Sequence, residues 1–234
     1  MRWHHPELGF LPPDEFIPAA EQAGTIVHLT RYVLTAAVQQ CRYWMDFGCE
    51  LGVSVNLSAR DLTDEYLPHH VLQILEDNEI RPGMLTLEVT ESSIMENVSQ
   101  AVLVLECLRD IGVRISIDDF GTGHSSLAQL KNIPVHELKV DKSFVMTFCD
   151  DVQNEAIVRA KIELAHSLDL SVVAEGVEDE RAIRRIASLG AEVAQGYFLS
   201  KPLPPDELTE WLTRFTPTVY RERRKTDRAF AREA

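Results

Sequence analysis

The sequence contains no apolar run approaching the roughly 18–20 residues that a membrane-spanning helix needs. Its opening, MRWHHPELG, has none of the apolar core of a secretory leader. Both absences predict a soluble, cytoplasmic protein without membrane insertion. Cysteine is scarce: Cys41, Cys49, Cys107 and Cys149 are the only four, and none stands in C-x-x-C spacing. Three of them fall in apolar helical patterns, so reduced, packed thiols are expected rather than a disulfide framework or a zinc site. Positive charge is in deficit, with 23 Lys and Arg against 37 Asp and Glu and a formal net charge of −14. Such a surface repels a polyanion and argues against DNA or RNA binding through a basic stripe. It remains compatible with a phosphorylated ligand held through divalent cations.

Several motifs are also missing. No G-x-G-x-x-G follows a first strand and no G-x-x-x-x-G-K-[ST] occurs, which removes the common dinucleotide and P-loop signatures. There is no G-x-S-x-G elbow and no cysteine ends a strand, which argues against covalent acyl chemistry. No H-x-H ends a strand either. His4-His5 and His69-His70 lie away from strand ends, and His28 and His166 sit inside helical patterns, so all are read as surface or satisfied core histidines.

What is present is an alternation of two periodicities over 234 residues that are 45% hydrophobic, enough for one large domain or two small ones. Strand patterns cover residues 51–58, 84–90, 113–118, 136–140, 170–175 and 191–196. Helical patterns cover 27–46, 61–78, 96–110, 124–131, 152–168 and 179–189, and Pro205 opens a last helix to about 214. A capping box from Ser93 to Glu96 is expected to open the third of these. Strand followed by helix, repeated six times, predicts an α/β fold with a parallel sheet. A (β/α)₈ barrel and a doubly wound sheet are the two candidates. The charged stretch YRERRKTDRAFAREA at 220–234 is expected to be a frayed tail or a surface helix.

The polar residues at the strand ends form a pattern of their own. They are Asn56, Glu88, Asp118 with Asp119, Lys139, Glu175 and Gln195. A single Asp after a strand is ordinarily a turn former or a helix cap. Six successive strands that each end this way are not explained by capping. In a barrel the C-terminal strand ends ring one mouth, which would gather these residues. Four carboxylates there need counter-charge, of which Lys139 supplies one. The remaining donors are all oxygen, a set suited to Mg²⁺, Mn²⁺ or Ca²⁺ rather than Zn²⁺. The adjacent Asp118 and Asp119 are then explained by two ions and an in-line phosphoryl displacement, with Lys139 orienting the attacking water.

The strings RWHHPELG, FIPAAEQAG, SVNLSARDL, LEVTES, IDDFGTGHSSL, LKVDKSFV, VVAEGVE and AQGYFLSKPLP resemble the EAL-domain family of cyclic-di-GMP phosphodiesterases. The resemblance runs from Arg2 to about Leu212. It implies a TIM-like (β/α)₈ barrel, an EAL domain over residues 1–215 and a charged tail over 216–234. It also implies hydrolysis of c-di-GMP to pGpG with two Mg²⁺ or Mn²⁺ ions. By motif match Asn56, Glu88, Asp118 and Asp119 would hold metal, Lys139 would position the water, and Glu175 and Gln195 would complete that network. Arg2 would reach the ligand's phosphate, Glu91 and Glu178 would anchor the DDFGTG loop, and that loop region would form a homodimer contact.

Two departures stand out. His124 replaces the commoner Tyr, with little effect expected. Arg2-Trp3 is preceded only by Met1, so the family's Glu-Ala-Leu tripeptide, with its metal-ligating glutamate, is absent, as are the first strand and most of the second. The chain would then be a fragment of an ordinary phosphodiesterase, a c-di-GMP receptor or protein-interaction module without turnover, or a barrel completed by another chain. Open strand edges and lost burial favour the fragment. For the 234 residues as they stand, weak or no hydrolysis is expected. A DNA-binding regulator is disfavoured by charge.

Overall fold

The computed structural model describes residues 3–120 and 132–215, and the chain divides into two compact units, residues 1–137 and 138–234. The first unit opens with a hairpin of β1 (Trp3–His5) and β2 (Gly9–Leu11), antiparallel with Trp3 opposite Leu11. The His5 ring closes its turn, Nδ1 accepting from the backbone of Glu7 and Leu8 at 3.1 and 3.2 Å. Helix α1 (Pro13–Gln22) follows, with proline in its first turn, where the missing N–H has no partner to lose. Neither the hairpin nor α1 was expected, because three-residue strands are too short to show a period.

Helix α2 (Ile26–Asp46) buries Ile26, Thr30, Leu34, Val38, Cys41 and Trp44, a stripe at helical spacing. Strands β3 (Val53–Leu57), β4 (Leu85–Thr90) and β5 (Arg114–Asp118) lie parallel and in chain order. Helix α3 (Leu67–Asp77) starts later than expected, because Asp61–Thr63 forms a short 3-10 turn instead of the helix's first residues. The helix expected over 96–110 is α5 (Val98–Ile111), and a short helix that was not expected, α4 (Glu91–Glu96), precedes it. The expected Ser93 cap does not form. Thr90 caps α4 by accepting from the Ser93 backbone at 3.1 Å, and Asn97 caps α5 by accepting from Gln100 at 3.3 Å. Asn97, at φ −153° and ψ 77°, is the break, and Gly112 closes α5 at φ 98°.

His136 ties the chain ahead of the next strand to β5. Its ring Nδ1 accepts from the Ile115 backbone at 3.1 Å while its own backbone N–H donates to Ile115 O at 2.9 Å. Burial pushes its pKa down, aided by the Arg114 and Arg109 charges and opposed by Glu137. The folded protein therefore holds this imidazole neutral, as an accepting Nδ1 requires. Below the ordinary histidine value of about 6.5 the unfolded chain takes up a proton that the folded one does not, so this contribution is full above that pH and lost as pH falls through it. A His136→Asn variant should lose less Tm than the wild type between pH 7.5 and 5.5. Equal losses in scanning calorimetry would show that His136 carries none of the acid sensitivity.

The second unit contains β6 (Glu137–Val140), α6 (Lys142–Val145), α7 (Val152–Ser167), β7 (Ser171–Ala174), α8 (Glu180–Leu189), β8 (Val193–Ala194) and α9 (Pro205–Arg214). Strands β6, β7 and β8 lie side by side in that order, with Val173 beside Val193 and Ala174 beside Ala194 in parallel. Asp151 caps α7 and Asp179 caps α8, the latter accepting from Ala182 at 2.7 Å. Pro205 opens α9 as expected. The parallel α/β class read from the alternation is the one observed.

All four cysteines are free. Cys41 is packed and donates to Leu51 O at 3.0 Å. The expectation of packed thiols fails at Cys107, which is exposed because it lies off the buried stripe of α5 formed by Ala101, Val104, Leu105 and Leu108. Among the described residues no helix is long and apolar enough to cross a membrane.

Candidate active site

In the first unit the strand register sorts side chains onto two faces. Asn56 stands beside Glu88, Glu88 beside Ser116, and Thr90 beside Asp118. Registered neighbours in a parallel sheet point the same way. Ser54, Asn56, Thr86, Glu88, Thr90, Arg114, Ser116 and Asp118 therefore share one face, and no apolar residue of β3, β4 or β5 joins them. Val55, Leu57, Leu85, Leu87, Val89, Ile115 and Ile117 share the other and are all buried. The polar face is buried at its centre, with Glu88 9% exposed and Ser116 fully buried, while Ser54 and Asn56 are exposed. Asn56 lies at its open edge.

Burying Glu88 and Ser116 is costly unless something compensates them. Among the described residues Ser116 Oγ has no hydrogen-bond partner. A partly buried face that carries carboxylates, an amide and an unpartnered hydroxyl fits a hard cation, since its metal-ligating groups are all oxygen. No three His, Cys, Asp or Glu side chains gather closely enough among the described residues to hold a metal without help. An amide donor such as Asn56 and further ligands would have to complete the set. Asp119 follows at φ 55°, a left-handed backbone that Asp tolerates better than most residues, and its N–H donates to Asp118 Oδ1 at 3.0 Å. Glu91 is buried at the start of α4.

In the second unit the strand ends bring a charge pair together. Lys139 on β6 is 4% exposed, Glu175 just past β7 is 17% exposed, and Nζ stands 2.6 Å from Oε1. The backbone sets this meeting, since Glu175 N–H donates to Val140 O at 3.1 Å. Gln195 follows β8, its N–H donating to Ala174 O at 2.8 Å and its carbonyl accepting from Val177 at 3.0 Å. Gly176, at φ 75°, leaves no room for a side chain, because a Cβ there would lie 2.6 Å from Lys142 Cβ. Burial alone would raise the Asp141 pKa, but hydrogen bonds from Ser143 and the Lys161 charge outweigh it and hold that carboxyl below its usual range. Glu178 is exposed, directly before the cap of α8.

Each expected strand-end residue within the described part lies within two residues of the end of its strand. Arg2 and residues 121–131, which include most of the DDFGTG loop, lie outside the described residues. Ser116 was missed, although the alternation in RISID marks it as a face-mate of Asp118.

Residues 1–202 match the EAL domain family. The chain is 41% identical over 209 residues to the bifunctional diguanylate cyclase/cyclic di-GMP phosphodiesterase MucR of Pseudomonas aeruginosa, covering 89% of this chain and 30% of MucR. It is 40% identical over 211 residues to the signaling protein YkoW of Bacillus subtilis, covering 88% of this chain and 26% of YkoW. The chain thus spans under a third of the length of these two curated relatives. The solved PaMucR phosphodiesterase in complex with c-di-GMP matches with a TM-score of 0.83 at 41% identity, over 88% of this chain and 84% of that one. The EAL enzyme Bd1971, in its cAMP- and cyclic-di-GMP-bound form, matches at 0.85 and 31% identity, over 90% of this chain and 58% of that one.

Proposed function

The chain belongs to the EAL-domain family, and on that premise we propose that it is a cytoplasmic phosphodiesterase that opens cyclic-di-GMP to linear pGpG. The observation that supports this best is the register that lines Asn56, Glu88 and Asp118 along the polar face of three adjacent strands. Those three side chains, with Asp119, would hold two Mg²⁺ or Mn²⁺ ions. When bound, such ions would supply the positive charge that offsets a phosphodiester's negative charge and favours ionisation of a water. Lys139, paired with Glu175, would position the attacking water. Gln195 offers a neutral donor and acceptor to the same hydrogen-bond network. The water oxygen forms a bond to phosphorus as the bond from phosphorus to a ribose oxygen breaks. One water proton ends on that ribose oxygen, and the water's oxygen stays on the new terminal phosphate, which keeps the other proton or releases it to solvent.

The test is chromatographic detection of pGpG after incubation with c-di-GMP and Mn²⁺. Product is expected with metal and is expected to vanish with chelator and in Asp118→Asn. Product that persists in either control would sink the two-metal assignment. A second reading is c-di-GMP binding without hydrolysis, which calorimetry detects directly. The homodimer implied by the family resemblance is checked by light scattering on the same sample.

A further inference from the structure

Asp61 is fully buried, yet the hydrolytic scheme above does not use it. It begins the 3-10 turn that follows β3, and its Oδ2 receives three donors. Ser58 donates its backbone N–H at 2.7 Å and its hydroxyl at 2.6 Å, and Thr30 of α2 donates its hydroxyl at 2.9 Å from 31 residues away. The Asp61 N–H returns a bond to Ser58 Oγ at 3.3 Å. Three residues on, Asp64 pairs with Arg31 at 3.0 Å, so neighbouring residues of α2 hold the same loop twice. Among the described residues Asp61 Oδ1 has no hydrogen-bond partner.

A turn cap does not require this arrangement. Asn or Ser at position 61 could accept from the Ser58 backbone without burying a carboxylate oxygen that lacks a partner, which is costly. A carboxylate, however, concentrates three donors on one oxygen and so locks Ser58 to α2 as well as to its own turn. Ser58 is two residues past Asn56, and both belong to the stretch where β3 leaves the sheet. Asn56 is exposed, so packing does not fix its amide and its direction follows from the backbone. We propose that Asp61 is a positioning residue that sets the direction of the Asn56 amide through Ser58, with Thr30 as its anchor on α2. The proposal rests on the assignment of Asn56 as a metal ligand. Partners of that kind, one layer behind a ligand, typically change metal affinity by about 10–100-fold.

The test uses the full chain and the variants Thr30→Val, Asp61→Asn and Asn56→Ala, alone and with Thr30→Val added to Asn56→Ala. Thr30→Val exchanges one hydroxyl for a methyl of similar size and leaves the Asp61–Ser58 bonds in place, so it reads the anchor even if Asp61→Asn does not fold. Two measurements are made: ¹⁵N NMR of the Asn56 side-chain amide without metal, and Mn²⁺ titration followed by electron paramagnetic resonance. The expected result is a shifted Asn56 signal in Thr30→Val and a roughly tenfold weaker Mn²⁺ affinity, with no further weakening when Thr30→Val is added to Asn56→Ala. A merely structural role would lower Tm and leave the Asn56 signal in place, which overturns the proposal. Equal weakening in the presence and absence of Asn56 also overturns it. If the unaltered chain binds no Mn²⁺ while the Asn56 signal still shifts in Thr30→Val, positioning is supported and the metal assignment of Asn56 is the part that fails.

Discussion

Lys139→Met is expected to lower stability by about 3–5 kcal/mol, the usual consequence of removing one member of a buried ion pair, and to abolish turnover. Lys139 is 4% exposed and its 2.6 Å contact with Glu175 lies largely out of water. Methionine fills much of the lysine stem's volume but leaves the Glu175 carboxylate without that ammonium. For a chain of this size the loss corresponds to a Tm lower by roughly 6–20 °C. The double variant Lys139→Met/Glu175→Gln removes both charges and should recover a large part of the stability. It should recover no hydrolysis, because the ammonium proposed to direct the water is still missing. Urea denaturation and pGpG formation, measured on both variants, separate the two roles. A single variant as stable as wild type would mean that water screens the pair far better than its burial suggests. Turnover restored in the double variant would remove Lys139 from the chemistry.

Gly196→Ala should be comparably severe, destabilising by about 4 kcal/mol or more. A Cβ on Gly196 would lie 2.1 Å from Val177 O, 2.3 Å from Val177 N and 2.7 Å from Val177 C. All three are backbone atoms, so no side-chain rotation relieves the clash. The same segment is fixed on both sides, with Val177 N–H donating to Gln195 O and Phe198 N–H donating to Val177 O, each at 3.0 Å. Room for a methyl group would have to come from breaking one of those bonds. That would move Gln195 and the chain just past Glu175 together, so activity should fall even in whatever fraction stays folded. Gly83→Ala is the control, because its Cβ meets only Gly112 O, at 4.0 Å. A Gly196→Ala melting temperature close to that of Gly83→Ala would show that the turn yields far more easily than its geometry implies.

The order of strands and helices was legible because hydrophobic period is a local property. Residues 27–46 read as a helix and 26–46 are one, since a stripe of about five turns outweighs any single residue. Elements too short for a period were not legible, notably the β1–β2 hairpin, and neither was the break at Asn97. There the pattern ran on through the junction while backbone and caps divided it, with Thr90 and Asn97 acting in place of Ser93. The strand-end set of Asn56, Glu88, Asp118, Lys139, Glu175 and Gln195 was legible for a different reason. A polar residue closing one strand after another has no packing explanation, so its chemistry shows in the sequence.

Which of those residues meet was settled only in three dimensions. The register that puts Asn56 beside Glu88 and Thr90 beside Asp118 follows from how the apolar face packs, and a one-residue slip would turn every one of these side chains to the other face. The register places Ser116 beside Glu88 on that face. The 2.6 Å approach of Lys139 to Glu175 and the bond from Thr30 to Asp61 join residues 36 and 31 positions apart, and no local pattern encodes either. By itself the sequence determined the α/β class, the succession of most elements and the polar residue types near the strand ends, because these depend on period and side-chain identity. The tertiary structure decided the pairs, the burial and the shared faces, because these depend on distances between residues that only packing brings together.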